Sequence, residues 1–486
     1  MKFQNSYIRL LLRSLFAFVI MGEINLQGQT AVDLPRPTPI TRPEMKSLLE
    51  TVKERTPRIP LPDLTERDRE ILGQRSDDYE TRLKYHFLPQ LDGAAMNGKM
   101  PRTGNSPRGN FRSSEEGMTL DYGFKVELFW IVSRVNNCQY CLGHQESKLL
   151  SAGRSEDRIA MLDGDWRQFQ PAEQAAYAFA RKFTFEPHLL VDEDIEHLTM
   201  HFDDQQIIEM ILSMAWNNSI NRWKEGVGVP QRQDEGGYSR LDVSKTPQTL
   251  QQVAESVVPL PRGSYETPTS PAFLTKTSGV AVVHYDRRTG RATTATVEHR
   301  PALEDRYSVL RSLAATRTRS ARLPLVDGQH VAARLNLEQH SIEPQAWLRL
   351  LANFPQEGKR RAQALLAAEE DPQLDPLLVA QLGWIVARKD RAWYAAGRAM
   401  KKLMDLGQSM DEVFALDADW SGMSGERQAL FTVAQNLAAS PVVLTDAQVA
   451  IAVERTSPGE VTRVVNLVAQ YAAFNRLTEA AGLALD

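Results

Sequence analysis

Sliding the sequence against itself by 254 positions lays ELFWIVSRVNNCQYCLGHQESKLLSAG, beginning at Glu127, over QLGWIVARKDRAWYAAGRAMKKLMDLG, beginning at Gln381. Trp130 meets Trp384, Arg134 meets Arg388, Tyr140 meets Tyr394 and Gly153 meets Gly407. Asp163, Asp165 and Trp166 meet Asp417, Asp419 and Trp420, and Asn221-Arg222 meets Asn475-Arg476. A single shift serves from residue 120 to about residue 225, so the chain carries an internal repeat. That constrains the fold more than any other feature, because one pattern of packing residues must serve both copies.

The pattern is helical. YGFKVELFWIVSRV reads as one apolar helix, and CQYCLGHQESKLLSAG as a second, closed by Gly153. Ser155 caps the next segment, and Pro171 stands near the first position of another. No stretch of period two interrupts 120–228. The expected fold is all-α: two homologous helical bundle domains, at 119–230 and 303–486. The linker, 231–302, contains GVAVVHYDRRTGRATTATVEH, which reads as a β-hairpin around Thr289-Gly290. Ahead of the first copy, 32–60 is rich in proline and reads as an extended arm. Residues 63–91 read as helical, and 92–118 as a long glycine-rich loop.

Lys2, Arg9 and Arg13 precede an apolar run at 15–21, the order of a secretory signal. Residues 1–31 are therefore expected to direct export to the periplasm or the exterior; the alternative is a plain N-terminal extension on a cytoplasmic protein. The run is too short to span a bilayer, which takes about 20 apolar residues. A net charge of −4 argues against a nucleic-acid partner. Two cysteines cannot make a disulfide framework, so packing must hold the core.

Both cysteines, Cys138 and Cys141, stand three residues apart, with His144 three further on. In the second copy these positions are Ala392, Ala395 and Arg398, and Glu127 becomes Gln381. Packing residues survive while four reactive groups are lost. The first copy therefore uses this set for chemistry, and the second reads as its structural partner. Asn136-Asn137 read as caps that place Cys138 in the first turn of a helix, where the dipole favours a thiolate. Steps of three rotate about 300°, so Cys138, Cys141 and His144 share one face. Such a set can be a dithiol/disulfide redox pair, half of a metal site or a local staple. Glu127, about three turns earlier, can fold back as a proton acceptor or serve as a paired carboxylate at the edge of the core. Tyr140, which persists without the cysteines, reads as a packing residue, and Trp130, Trp166 and Trp223 read as core.

The run from Glu127 to Gly153 resembles the alkylhydroperoxidase D-like, or carboxymuconolactone decarboxylase, family. The resemblance extends to about Val229, with a degenerate second copy at 374–486. It implies an all-helical oligomer with peroxiredoxin-type antioxidant activity. Carried over, Cys141 would attack the peroxide, Cys138 would resolve the product as a disulfide, and His144 and Glu127 would relay protons. No bound cofactor is implied. The partners implied are a peroxide or disulfide substrate, an external dithiol reductant protein and further copies of the chain. Here the histidine and the glutamate each stand one residue closer to the cysteines than the family's spacing, a rotation of about 100° apiece. Tyr140 stands where the family often has another histidine. A cofactor-free acid–base enzyme of the decarboxylase type and a non-catalytic assembly protein are the alternatives.

Overall fold

The computed structural model describes residues 35–36, 42–89, 115–163, 166–231, 279–285, 292–299, 303–337 and 344–485. The expectations for the signal segment 1–31, for most of the loop 92–118 and for most of the linker fall outside them. The described residues form one compact unit.

The fold is all-α. Helices α1 (Arg42–Thr51), α2 (Glu66–Leu72) and α3 (Tyr79–Phe87) precede the first copy. That copy comprises α4 (Tyr122–Asn136), α5 (Gln139–Ser151), α6 (Glu156–Met161), α7 (Pro171–Phe185), α8 (Asp192–Thr199) and α9 (Asp204–Val227). Strands β1 (Gly279–Tyr285) and β2 (Ala292–His299) pair antiparallel, Gly279 opposite His299. Then come α10 (Arg306–Arg317), α11 (Gly328–Leu335), α12 (Ala346–Leu351) and α13 (Pro355–Glu369). The second copy comprises α14 (Pro376–Asp390), α15 (Trp393–Asp405), α16 (Met410–Ala415), α17 (Gly425–Ala438), α18 (Asp446–Arg455) and α19 (Pro458–Ala480). Each of its six helices starts 254 residues after its counterpart.

Backbone detail recurs too. Asn137 and Arg391 both take the left-handed conformation, with φ 55° and 54°, and Trp166 and Trp420 do so with φ 62° and 59°. Those tryptophans each donate from the indole to a carbonyl four residues back, Leu162 and Leu416. The Arg134–Asp163 pair is repeated as Arg388–Asp417. A left-handed non-glycine residue is strained unless its surroundings over-determine it. The shared hydrogen bonds do that at both tryptophans.

Three expectations need correction. The two copies are not separate domains, because α9 and α19 lie against each other inside one continuous core. Gly226 permits the approach: a Cβ there would stand 2.4 Å from Val465 Cγ1 and 3.0 Å from Leu437 Cδ2. The arm at 32–60 is not wholly extended. It contains α1, whose Met45 and Leu49 are buried, with Pro43 in the first turn where a missing N–H breaks no helical bond. The helical stretch 63–91 is two helices. Gly73, at φ 55°, ends α2, and the Asp78 carboxylate caps α3 by accepting from the Thr81 amide at 2.8 Å.

Where the copies cross, polar groups are buried in a shared network. Arg222 donates to Ser440 Oγ at 2.6 Å and to the Ala438 carbonyl at 3.3 Å. Arg476, its counterpart, donates to the Thr184 carbonyl at 2.9 Å and forms an ion pair with Asp390 at 3.0 Å. Burial pushes the Arg222 guanidinium well below the usual range, and Arg476 adds to this, with Asp390 opposing.

Candidate active site

The loop between α4 and α5 builds the site. Asn137 ends α4 in the left-handed conformation, so the chain reverses in one residue. Asn136 and Asn137 are therefore not the caps of α5. Asn136 instead donates to Asn218 and Asn221, at 2.9 Å each, and Cys138 itself is the cap. Its sulfur accepts from the Cys141 amide at 3.3 Å. Cys138 and Cys141 are joined as a disulfide with Cα atoms 5.2 Å apart, within the ordinary range for such a bond. The amide contact matters for the reduced state, because a helix N-terminus stabilises a thiolate.

A pocket of about 490 Å³ opens on this disulfide. Cys141, His144 and Tyr140 from α5 line one side, and Trp216, Trp223 and Lys224 from α9 another. Glu80 and Lys84 of α3 stand on its wall, and Asn466 and Gln470 of α19 close it from the second copy. Cys138 is fully buried and does not line it. Of the pair, Cys141 is the one that lines the pocket, itself only 2% exposed. The His144 ring centroid lies 4.4 Å from that of Tyr140, and Lys224 Nζ lies 4.6 Å from the Tyr140 ring centre. Glu80 takes a contact from Lys224, another from Lys84 at 3.2 Å and an indole hydrogen bond from Trp223 at 2.8 Å. Burial alone would raise its pKa, but Lys224 and Lys84 prevail and hold the carboxyl at about 2.

The structure brings Cys138, Cys141 and His144 together and leaves Glu127 out. Glu127 is buried in an ion cluster away from the pocket, bonded by Arg158 at 2.6 Å, Arg154 at 3.0 Å and the Tyr177 hydroxyl at 2.7 Å. Burial, then the Glu127 charge, pushes the Tyr177 hydroxyl far above the ordinary phenol range. In the second copy the whole cluster changes: Arg154, Arg158, Glu173 and Tyr177 become Gln408, Glu412, Arg427 and Phe431. The loss of Glu127 there thus follows the replacement of an ion cluster, independently of the loss of the sulfurs. Glu127→Gln is expected to lower the melting temperature while changing the alkylation rate of reduced Cys141 less than about threefold. A larger rate change at unaltered stability would return Glu127 to the site.

Tyr140, read from the repeat as a packing residue, lines the pocket, and Trp223, a core residue as expected, lines it as well. Trp130 and Trp166 are core, as expected. A sequence signal for the missed residues existed. Trp216, Ser219, Ile220, Trp223 and Lys224 become Gln470, Ala473, Phe474, Leu477 and Thr478. These positions lie three or four apart on one helix face, and all change together with the cysteines.

The corresponding cavity in the second copy is nearly gone. Gln470, Ala473, Phe474 and Leu477 there line a space of about 30 Å³. Trp347 is 1% exposed in that wall, and its ring meets Phe474 edge-on at 5.6 Å. Arg398, at the position of His144, is held bidentately by Glu369 at 2.6 and 2.7 Å. One pocket is open and carries sulfur, while its mirror is filled.

Among the described residues no three His, Cys, Asp or Glu side chains converge as a metal site, and no helix is long and apolar enough to cross a membrane. No protein-family profile matches the chain. The chain is similar to "Uncharacterized protein YdfG" of Bacillus subtilis (strain 168), with 29% identity over 101 residues, 20% of this chain and 68% of that protein.

Proposed function

We propose that the chain is a thiol oxidoreductase, a peroxiredoxin-type peroxidase, in which the cysteine pair cycles between dithiol and disulfide. One observation carries this reading: Cys141 lines a pocket large enough for an organic molecule, while its bonded partner Cys138 is fully buried and does not line it. The resemblance to the alkylhydroperoxidase D-like family points the same way.

In the peroxidase cycle the Cys141 thiolate attacks the terminal oxygen of a hydroperoxide. The S–O bond forms, the O–O bond breaks, and the alkoxide leaves as an alcohol after taking a proton. His144, in the same pocket, is the proton donor. Cys138 then attacks the Cys141 sulfur, the S–S bond forms, and water departs with the sulfenic oxygen. An external dithiol protein returns two electrons and two protons, attacking first at Cys141, the cysteine that lines the pocket. No bound cofactor takes part. The second copy serves as scaffold and wall: its packing against the first through α9 and α19 imitates a dimer of single copies, so further association would join whole chains. The basic-then-apolar N-terminus supports export.

Mass spectrometry tests the reading. Reduced protein given one equivalent of an organic hydroperoxide is expected to lose two hydrogens and to yield a Cys138–Cys141 linked peptide. Protein that remains a dithiol would refute the redox reading and favour acid–base chemistry through His144.

A further inference from the structure

The pocket that meets Cys141 is not shaped for hydrogen peroxide. About 490 Å³ is many times the ~30 Å³ that a water-sized molecule occupies, and lies in the range of pockets that hold organic ligands. Its walls carry three aromatic side chains, Tyr140, Trp216 and Trp223. In the second copy the positions of Trp216 and Trp223 are taken by Gln470 and Leu477, although Trp216 also reaches the wall of the filled mirror cavity. Among the described residues the wall also holds Lys84, Lys148 and Lys224 and one carboxylate, Glu80. Glu80 remains ionised at any ordinary pH, and this one carboxylate serves both Lys84 and Lys224, so their cluster keeps an excess of positive charge in a chain whose net charge is −4. A low-dielectric concave wall focuses such a field. Neither small uncharged peroxides nor neutral lipids need it.

We infer that the pocket binds a flat, apolar organic molecule bearing one carboxylate, its body against Trp216 and Trp223 and its carboxylate among the wall lysines. The inference deepens the proposed function by naming its substrate class. Binding itself, however, needs no sulfur, so the two can fail separately.

Isothermal titration of the oxidised full chain with 2-naphthoate, 2-naphthylmethanol and 2-naphthylmethylammonium tests it. Naphthoate is expected to bind at least tenfold tighter than the alcohol, and the ammonium weakest. The preference should shrink on going from low to high salt. Lys84→Gln combined with Lys148→Gln is expected to erase the preference for the carboxylate while leaving the affinity of the alcohol within about twofold. Trp216→Ala should weaken all three probes. Equal affinity of acid and alcohol, tighter binding of the ammonium, or no measurable binding of naphthoate would each overturn the inference. If naphthoate binds as expected but peroxide leaves the reduced protein a dithiol, the ligand class stands and the redox reading falls. In the reduced protein, naphthoate should also slow alkylation of Cys141 at least fivefold. Unchanged alkylation at saturating naphthoate would place the ligand elsewhere and overturn the assignment to this pocket.

Discussion

Cys141→Ser is expected to lower dithiol-dependent reduction of an organic hydroperoxide by at least about a thousandfold, because a hydroxyl is a poor nucleophile without an activating base. Cys138→Ser should behave differently. It keeps Cys141, which lines the pocket, so the first turnover proceeds and the product waits as a sulfenic acid or a mixed disulfide with the reductant. The asymmetry rests on position. Cys138 is fully buried at the cap of α5, and Cys141 lines the pocket. Stopped-flow consumption of one equivalent of peroxide separates the two variants. Activity within tenfold of the parent in Cys141→Ser would remove the proposed mechanism. A Cys138→Ser variant inert even in its first turnover would exchange the two roles.

Asp390→Ala is expected to destabilise the chain by about 3–5 kcal/mol, the usual result of stripping one partner from a buried ion pair. Asp390 bonds Arg476 at 3.0 and 3.2 Å, and its field also acts on Arg222. Without it, two buried guanidinium groups face each other with no carboxylate between them. The first copy has Asn136 at this position, so one anion serves both arginines. Arg476→Met placed on top of Asp390→Ala should recover part of the loss, because it removes the stranded charge. Urea unfolding reads both effects as a shift in midpoint at constant slope. A loss below about 1 kcal/mol in the single variant would mean that water reaches the junction.

The same junction explains why the copies do not stand apart. Arg476 of the second copy bonds the Thr184 carbonyl of the first, and Arg222 of the first bonds the Ala438 carbonyl of the second. These contacts are related by the repeat, as they would be across the two-fold axis of a dimer. Fusing such a pair in one chain allows the halves to diverge. One kept its sulfurs and an open pocket, and the other filled its cavity with Trp347 and Phe474.

Much of this was legible in the residues. Helical periodicity, caps such as Ser155 and Pro171, and the constant shift of 254 determined an all-α chain built twice over, because these are local properties repeated in register. The spacing of Cys138, Cys141 and His144 likewise determined a shared helical face, since three residues on a helix return nearly to the same azimuth. Only the tertiary structure decided that Glu127 lies elsewhere. A helix offers every azimuth to some neighbour, and the neighbours that chose it, Arg154, Arg158 and Tyr177, come from other helices. Only the tertiary structure placed Glu80 of α3 and Gln470 of α19 on the wall beside Cys141, from positions 61 residues before it and 329 after it. A pocket is a property of surfaces that meet, and no local pattern records which surfaces those are.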